Sequence, residues 1–361
     1  MIVAFNLLLL SLVKHQVAPM VSEKEKYLTK EQQLIALVQS KVGNRYVGDD
    51  CARLPGNLLV TSDTLVERTH FILVKEEARL KDLGWKSMAV SLSDIAAMAG
   101  VPRYALIAIT MPENLSRQHF AYLYQGLIDC SKRYKTDIVG GDITKGTVLS
   151  ITITVIGEAN ERGCLLRGGA KPGDVVVVTG DFGASKAGLK MLLDDKSLKQ
   201  IQGNIAVDDI DGHHFSNCLA SHNRPLPRLE ESWALVNETG SRGALMDASD
   251  GLADALAQIS RASEVGMTID LQKVPIKGET AVVAKMYGEA PLDWALYGGE
   301  DYQLVACLPE KTWQTWLNRN KDKAIPFQAI GRATSSGKVE LMLGNEQGPE
   351  LDLRRCFQHI A

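Results

Sequence analysis

The chain is short of the features that would place it in several large functional classes. Its six cysteines stand far apart, with no C-x-x-C pair, which argues against a zinc finger or a dense disulfide scaffold. Reduced thiols and a cytoplasmic location are the expectation. Positive charge is not in excess: the net charge is −3 over 361 residues, so no overall basic field recruits nucleic acid or an anionic membrane. No apolar run is long enough to span a bilayer. The run Leu7–Val13 has the look of a signal-peptide core, yet no Lys or Arg precedes it and no small-x-small cleavage site follows. Residues 1–25 are read as an extension, or as sequence upstream of a start at Met20. Two nucleotide signatures are also missing. The segment Gly180–Lys190, "GDFGASKAGLK", follows a strand-like run and opens a helix, but lacks the glycine before the lysine of a Walker A loop. It reads as a tight turn with Lys186 in solvent. Asp181-Phe182-Gly183 occurs without the other kinase signatures.

What remains is an ordinary globular composition, 45 % hydrophobic and 23 % charged. Apolar spacing predicts helices at Glu31–Val42, Lys81–Ala99, Ser116–Tyr134 and Ala184–Leu193, and from about Leu252. Strands are predicted at Leu58–Ser62, Tyr104–Thr110, Val175–Thr179 and Met267–Leu271, and in a short run ending at Asp247. Two more flank "GGDITKGT". The polar stretch Asp194–Pro227, with Asp208, Asp209, Asp211 and His213–His214, reads as a surface excursion. The chain is expected to be an α/β protein of two domains, divided near residue 160: an N-terminal domain over 26–160 and a C-terminal α/β domain over 161–361.

Aspartates recur at what read as junctions between apolar runs and turns or helices. They are Asp49 and Asp50 in "VGDDCA", Asp63, Asp94, Asp142 in "VGGDIT", and Asp247, Asp250 and Asp254 in "MDASDGLAD". Any one alone reads as a helix cap or an Asx-turn. Several converging would repel by roughly 4 kcal/mol per close pair at 4 Å and an effective dielectric near 20, and would need cations. Carboxylates without a His/Cys cluster suit Mg²⁺, and several Mg²⁺ ions suit a polyphosphate. A nucleotide site built on metal ions is the expectation.

Taken in order, "GDDCA", "TSDTLVERTHF", "GWKSMAVSLSDIAAMAGVP", "VGGDIT", "RGGAKPGDVVVVTGDFGASKAGL", "NRPLPRL", "MDASDGLADAL" and "GGEDYQL" resemble the thiamine-monophosphate kinase family. That family lies in a superfamily with aminoimidazole ribonucleotide synthetase and selenophosphate synthetase. The resemblance implies an N-terminal mixed-sheet domain that pairs across a homodimer, a C-terminal α/β domain, and ATP held with several Mg²⁺ ions. By position it puts metal ligands at Asp50, Thr61, Ser62, Asp63, Asp94, Asp142, Asp247 and Asp250. Nucleotide contacts fall at Gly141, Asp142, Arg167, Ser249 and Tyr124, and acceptor contacts at His70, Glu300 and Phe357. Ile143 stands where the family usually has threonine. The implied reaction is direct transfer of phosphate from ATP to thiamine monophosphate. Another ATP-dependent synthetase of the superfamily and a silent nucleotide-binding protein remain as alternatives.

Overall fold

The computed structural model describes residues 30–43, 45–194, 215–319 and 327–357. The extension 1–25, Asp208, Asp209, Asp211 and His213–His214 lie outside the described residues.

Helix α1 (Lys30–Val42) is followed by strands β1 (Ala52–Leu54) and β2 (Leu58–Val66). Helix α2 (Glu77–Ala97), β3 (Val101–Met111), α3 (Arg117–Arg133), β4 (Asp137–Lys145) and β5 (Ser150–Glu158) complete the first half. The strands form one sheet in the order β1-β2-β5-β3-β4, antiparallel except for the β3–β4 pair. Alternate residues of β5 (Ile151, Ile153, Val155) and β3 (Ala105, Ile107, Ile109) are buried, as a half-covered sheet requires. Helix α2 covers that face. Its residues Met88, Leu92 and Ile95 join Ile107, Ile151 and Ile153 in one core, which continues into Val175, Val177 and Leu308 of the second half.

The second sheet is built from β6 (Val175–Thr179), β7 (Ala244–Asp247), β8 (Gly266–Asp270), β9 (Leu304–Leu308), β10 (Phe327–Thr334), β11 (Val339–Leu343) and β12 (Glu346–Gln347). Its order is β12-β11-β8-β10-β6-β9-β7. Strands β6 and β9 are buried along their whole length, which explains their unbroken apolar sequence. Helix α6 (Leu252–Ser263) packs Leu252, Leu256 and Ile259 against Met267 and Ile269 in a second core.

Three expectations need correction. Asp63 and Asp142 are not at junctions but inside β2 and β4, whereas Asp94 lies inside α2, within the helix predicted over Lys81–Ala99. The glycines of "VGGDIT" make no turn, but let β4 lie close beside β3. A Cβ on Gly141 would sit 1.7 Å from the Ile107 carbonyl oxygen. Part of the polar stretch before Pro227 is also interior. Helix α5 (Ser216–Asn223) buries Cys218 and His222 against α4 (Ala184–Leu193). Small residues allow it: a Cβ on Gly188 would meet the Cys218 carbonyl at 2.2 Å.

Candidate active site

Between the two sheets lies a cavity of about 1320 Å³. One face of α2 forms part of its wall, because Asp82, Lys86, Val90 and Asp94 recur at four-residue spacing and so share one stripe. Lys86 and Asp94 are two turns apart, roughly 12 Å along the helix axis.

At the Asp94 position, acids from separate elements converge. Carboxylate oxygens of Asp50, Asp94 and Asp247 lie within 4.8 Å of one another. Asp50 comes from the loop before β1, Asp94 from α2 and Asp247 from the end of β7. Thr61 on β2 donates its hydroxyl hydrogen bond to Asp94, and Ser93 donates to Asp247 Oδ2 at 2.5 Å. Ser93 thus ties the first half to the second beside the acids. Arg167 grips Asp50 with two hydrogen bonds, Nη2–Oδ1 at 2.7 Å and Nε–Oδ2 at 3.1 Å, and reaches Gln258 with Nη1. Its backbone N–H faces the Asp49 carboxylate.

One guanidinium does not balance these carboxylates. Burial, then the charges of Asp63, Asp247 and Asp50, hold Asp94 well above the usual range. Asp247 is pushed up to about 7 by burial first and Asp50 second. Asp49 is likewise pushed up to about 7, by burial and then Asp50, with Arg167 pulling down. This donor set, all oxygen with no thiolate or imidazole, fits Mg²⁺.

A pH dependence follows. The ordinary aspartate value is 3.8, and folding without metal raises Asp247 and Asp49 to about 7. The folded state then binds protons more tightly than the unfolded chain. The stability these groups contribute is complete below about 3.8 and is lost as pH rises through about 7. The metal-free protein is expected to melt at progressively lower temperature between about pH 4 and pH 7, and saturating Mg²⁺ should flatten that slope. A metal-free midpoint that holds level, or rises, across this window would contradict the repulsion.

Elsewhere in the cavity stand His70, Glu300, Phe357 and Lys86. The rings of His70 and Phe357 are 6.3 Å apart. His70 Nδ1 accepts from the Val66 N–H at 3.0 Å, so its proton sits on Nε2. Glu300 belongs to the turn "GGEDY", where Glu300 and Tyr302 both take left-handed backbone (φ 58° and 49°). Between them, Asp301 reaches the start of α4 and accepts from the N–H groups of Gly183 (2.7 Å) and Ser185 (3.1 Å). A carboxylate therefore already fills the place where a phosphate would sit on that helix N-terminus. Lys186 is half-buried and lines the cavity, which corrects the reading that leaves it in solvent.

The remaining expected residues are distributed unequally. Asp63, Asp250, Ser249 and Arg167 line the same cavity as the acids. Ser62, Gly141, Asp142 and Tyr124 do not line it. Ser62 bonds Thr154 on the far face of the first sheet. Gly141 and Asp142 lie on the exposed edge strand β4. Tyr124 packs against Phe120 on α3. Sequence reasoning missed Lys86, Ser93, His222 and Tyr302 as site residues. Lys86 had a readable signal: it is the cation eight residues before Asp94, on one helical face of an otherwise apolar segment.

Family models match both halves. Residues 48–159 fit the N-terminal domain, and residues 171–344 the C-terminal domain, of AIR synthase related proteins. A thiamine-monophosphate kinase of Synechococcus elongatus is 34 % identical over 92 % of this chain and 96 % of its own length. That of Bacillus subtilis is 32 % identical over 87 % and 93 %. The solved structure of AaThiL complexed with AMPPCP and TMP is similar in fold, with a TM-score of 0.74 and 29 % identity, covering 89 % of this chain and 95 % of that one. With identity above 30 % sustained along nearly the whole of its curated relatives, the chain belongs to the thiamine-monophosphate kinase family.

Proposed function

We propose that the protein transfers the γ-phosphoryl group of ATP to the phosphate of thiamine monophosphate, releasing ADP and thiamine diphosphate. The P–O bond to the β-phosphate breaks as one forms to an acceptor phosphate oxygen. The observation that carries this reading is that one cavity contains both the Asp50–Asp94–Asp247 cluster and the His70–Glu300–Phe357 group. Relatives named for this activity, and a similar fold solved with an ATP analogue and TMP, support it.

Asp50, Asp94 and Asp247 would hold Mg²⁺, with Asp63 and Asp250 beside them and Thr61 orienting Asp94. Ser62 and Asp142, also proposed as ligands, lie outside this cavity on the open face of the first sheet, and would serve only a site that a second copy completes. Mg²⁺ bound there would neutralise charge on the polyphosphate. The acceptor oxygen is already anionic, so the protein's work is positioning rather than proton abstraction. Arg167 and Ser249, which line the cavity, are assigned to the nucleotide; Gly141, Asp142 and Tyr124, proposed for it too, lie outside this cavity. His70, Glu300 and Phe357 are assigned to the acceptor.

A homodimer is part of the same proposal. Strand β4 is an open edge, and Tyr104, Leu106, Val139 and Ile143 expose apolar surface on β3 and β4. A second copy covering this sheet would bring Ser62, Gly141 and Asp142 out of solvent. Residues 26–160 and 161–361 are taken as the two domains. No described helix is long and apolar enough to cross a membrane. All six cysteines are buried free thiols, in keeping with a cytoplasmic enzyme.

The test is stoichiometric. Purified protein with Mg²⁺, ATP and thiamine monophosphate is expected to form ADP and thiamine diphosphate in equal amounts, and the same preparation to run as a dimer on a sizing column. Free phosphate with ADP and no thiamine diphosphate would indicate a synthetase instead. ATP binding without turnover would indicate a silent protein.

A further inference from the structure

Among the described residues, the cavity contains a buried cation that the acid cluster does not account for. Lys86 is only 4 % exposed. Its Nζ lies 2.6 Å from Glu300 Oε1 and 3.5 Å from His222 Nε2. An ammonium can only donate, so His222 Nε2 accepts and the imidazole carries its proton on Nδ1. That Nδ1–H faces Ser185 Oγ at 3.0 Å and Glu300 Oε2 at 3.5 Å. Burial first, and Lys86 second, push His222 down to about 3, in agreement with a neutral ring. Lys86 of α2, His222 of α5, Ser185 of α4 and Glu300 of the "GGEDY" turn therefore form one connected polar network.

The network fixes Glu300 from several directions. Its backbone N–H donates to the Ser249 carbonyl at 2.6 Å, and its φ of 58° is one that a non-glycine residue seldom adopts. Its carboxylate is held by Lys86 and faced by His222, yet the side chain keeps a quarter of its surface open to the cavity. Stability alone does not explain such an arrangement, since a buried ion pair is often no better than apolar residues of the same volume. A function for the orientation it imposes does.

We infer that Lys86 and His222 are positioning residues for the acceptor: they fix the Glu300 carboxylate where it meets the cationic ring of the incoming phosphate ester. The inference rests on the acceptor reading given above. Neither residue touches the transferred group, which would lie near Asp94, two helical turns along α2.

Steady-state kinetics on the full-length enzyme separate this from a merely structural role. Wild type, His222→Leu, His222→Gln and Lys86→Met are compared, varying thiamine monophosphate at saturating ATP and then the reverse. His222→Leu and Lys86→Met are expected to raise KM for thiamine monophosphate about tenfold or more, with kcat within about threefold and KM for ATP unmoved. His222→Gln keeps a carbonyl for Lys86 and an N–H for Ser185, and should recover most of the loss. An unchanged acceptor KM in His222→Leu would overturn the inference. So would an equal rise in both KM values, or a glutamine variant no better than leucine. If Lys86→Met does not fold, the two His222 variants decide the matter. A wild type inactive towards thiamine monophosphate would sink the acceptor reading and this inference with it. An active wild type with an indifferent His222→Leu sinks the inference alone.

Discussion

Replacing Asp94 by asparagine is expected to lower turnover about a hundredfold or more while leaving the metal-free protein at least as heat-stable as wild type. The two effects have one cause. Asp94 is half-buried beside Asp63, Asp247 and Asp50, and its charge is disfavoured there by burial and by those neighbours. Asparagine keeps an oxygen to accept the Thr61 hydroxyl and removes the buried charge. Without metal, the change relieves repulsion. With metal, it takes away an anionic ligand, so the rise in melting temperature on adding Mg²⁺ should shrink. A variant that turns over like wild type at saturating Mg²⁺ would show that Asp94 is no ligand. One that is destabilised to the same degree with and without Mg²⁺ would reassign it to packing.

The second large effect lies where helices α2 and α3 cross. A Cβ on Gly126 would sit 1.9 Å from the Lys81 carbonyl oxygen, and one on Gly84 would sit 2.0 Å from that of Leu123. These are backbone atoms of the facing helix, so no side chain can swing aside. Gly126→Ala gains about 1 kcal/mol in helix propensity. Against this stands an overpacking cost of roughly 3 kcal/mol or more, because two backbones must separate. The net loss should lower the melting midpoint by several degrees, at about 2–4 °C per kcal/mol for a domain of this size. Gly278→Ala is the control, since a Cβ there meets nothing within 4 Å and its φ is not left-handed. If the two variants melt together, the close crossing is not a feature of the protein in solution.

Much of the fold is legible in the residues, and its failures share a physical origin. Helix Ala184–Leu193 and strand Val175–Thr179 are predicted to the residue, because a clean apolar pattern and glycine turns bound them. Asp63 and Asp142 break such patterns, and a polar residue in an apolar run reads as the end of an element; only Asp94 falls inside a predicted helix. Asp63 and Asp142 instead lie within one, and for Asp63 and Asp94 the tertiary structure supplies the polar cavity they face. Helix α5 escaped for the opposite reason. Its "SNCLASHN" buries through small side chains and close backbone approach rather than through large apolar ones. That pattern reads His222 as surface and gives no sign of the network around Lys86. The acids themselves were recognisable by recurrence alone, whereas the bond from Ser93 to Asp247 joins residues that no local pattern connects.

That bond also bears on the chain during synthesis. Asp50, Asp94 and Ser93 leave the ribosome long before Asp247, and the His70 ring waits still longer for Phe357. A nascent chain that has folded only its first sheet carries a fragment of the acid cluster and no enclosed cavity. If the acids hold metal and nucleotide as proposed, such a chain lacks part of that site, and catalytic competence would arrive late in translation, once the second sheet docks.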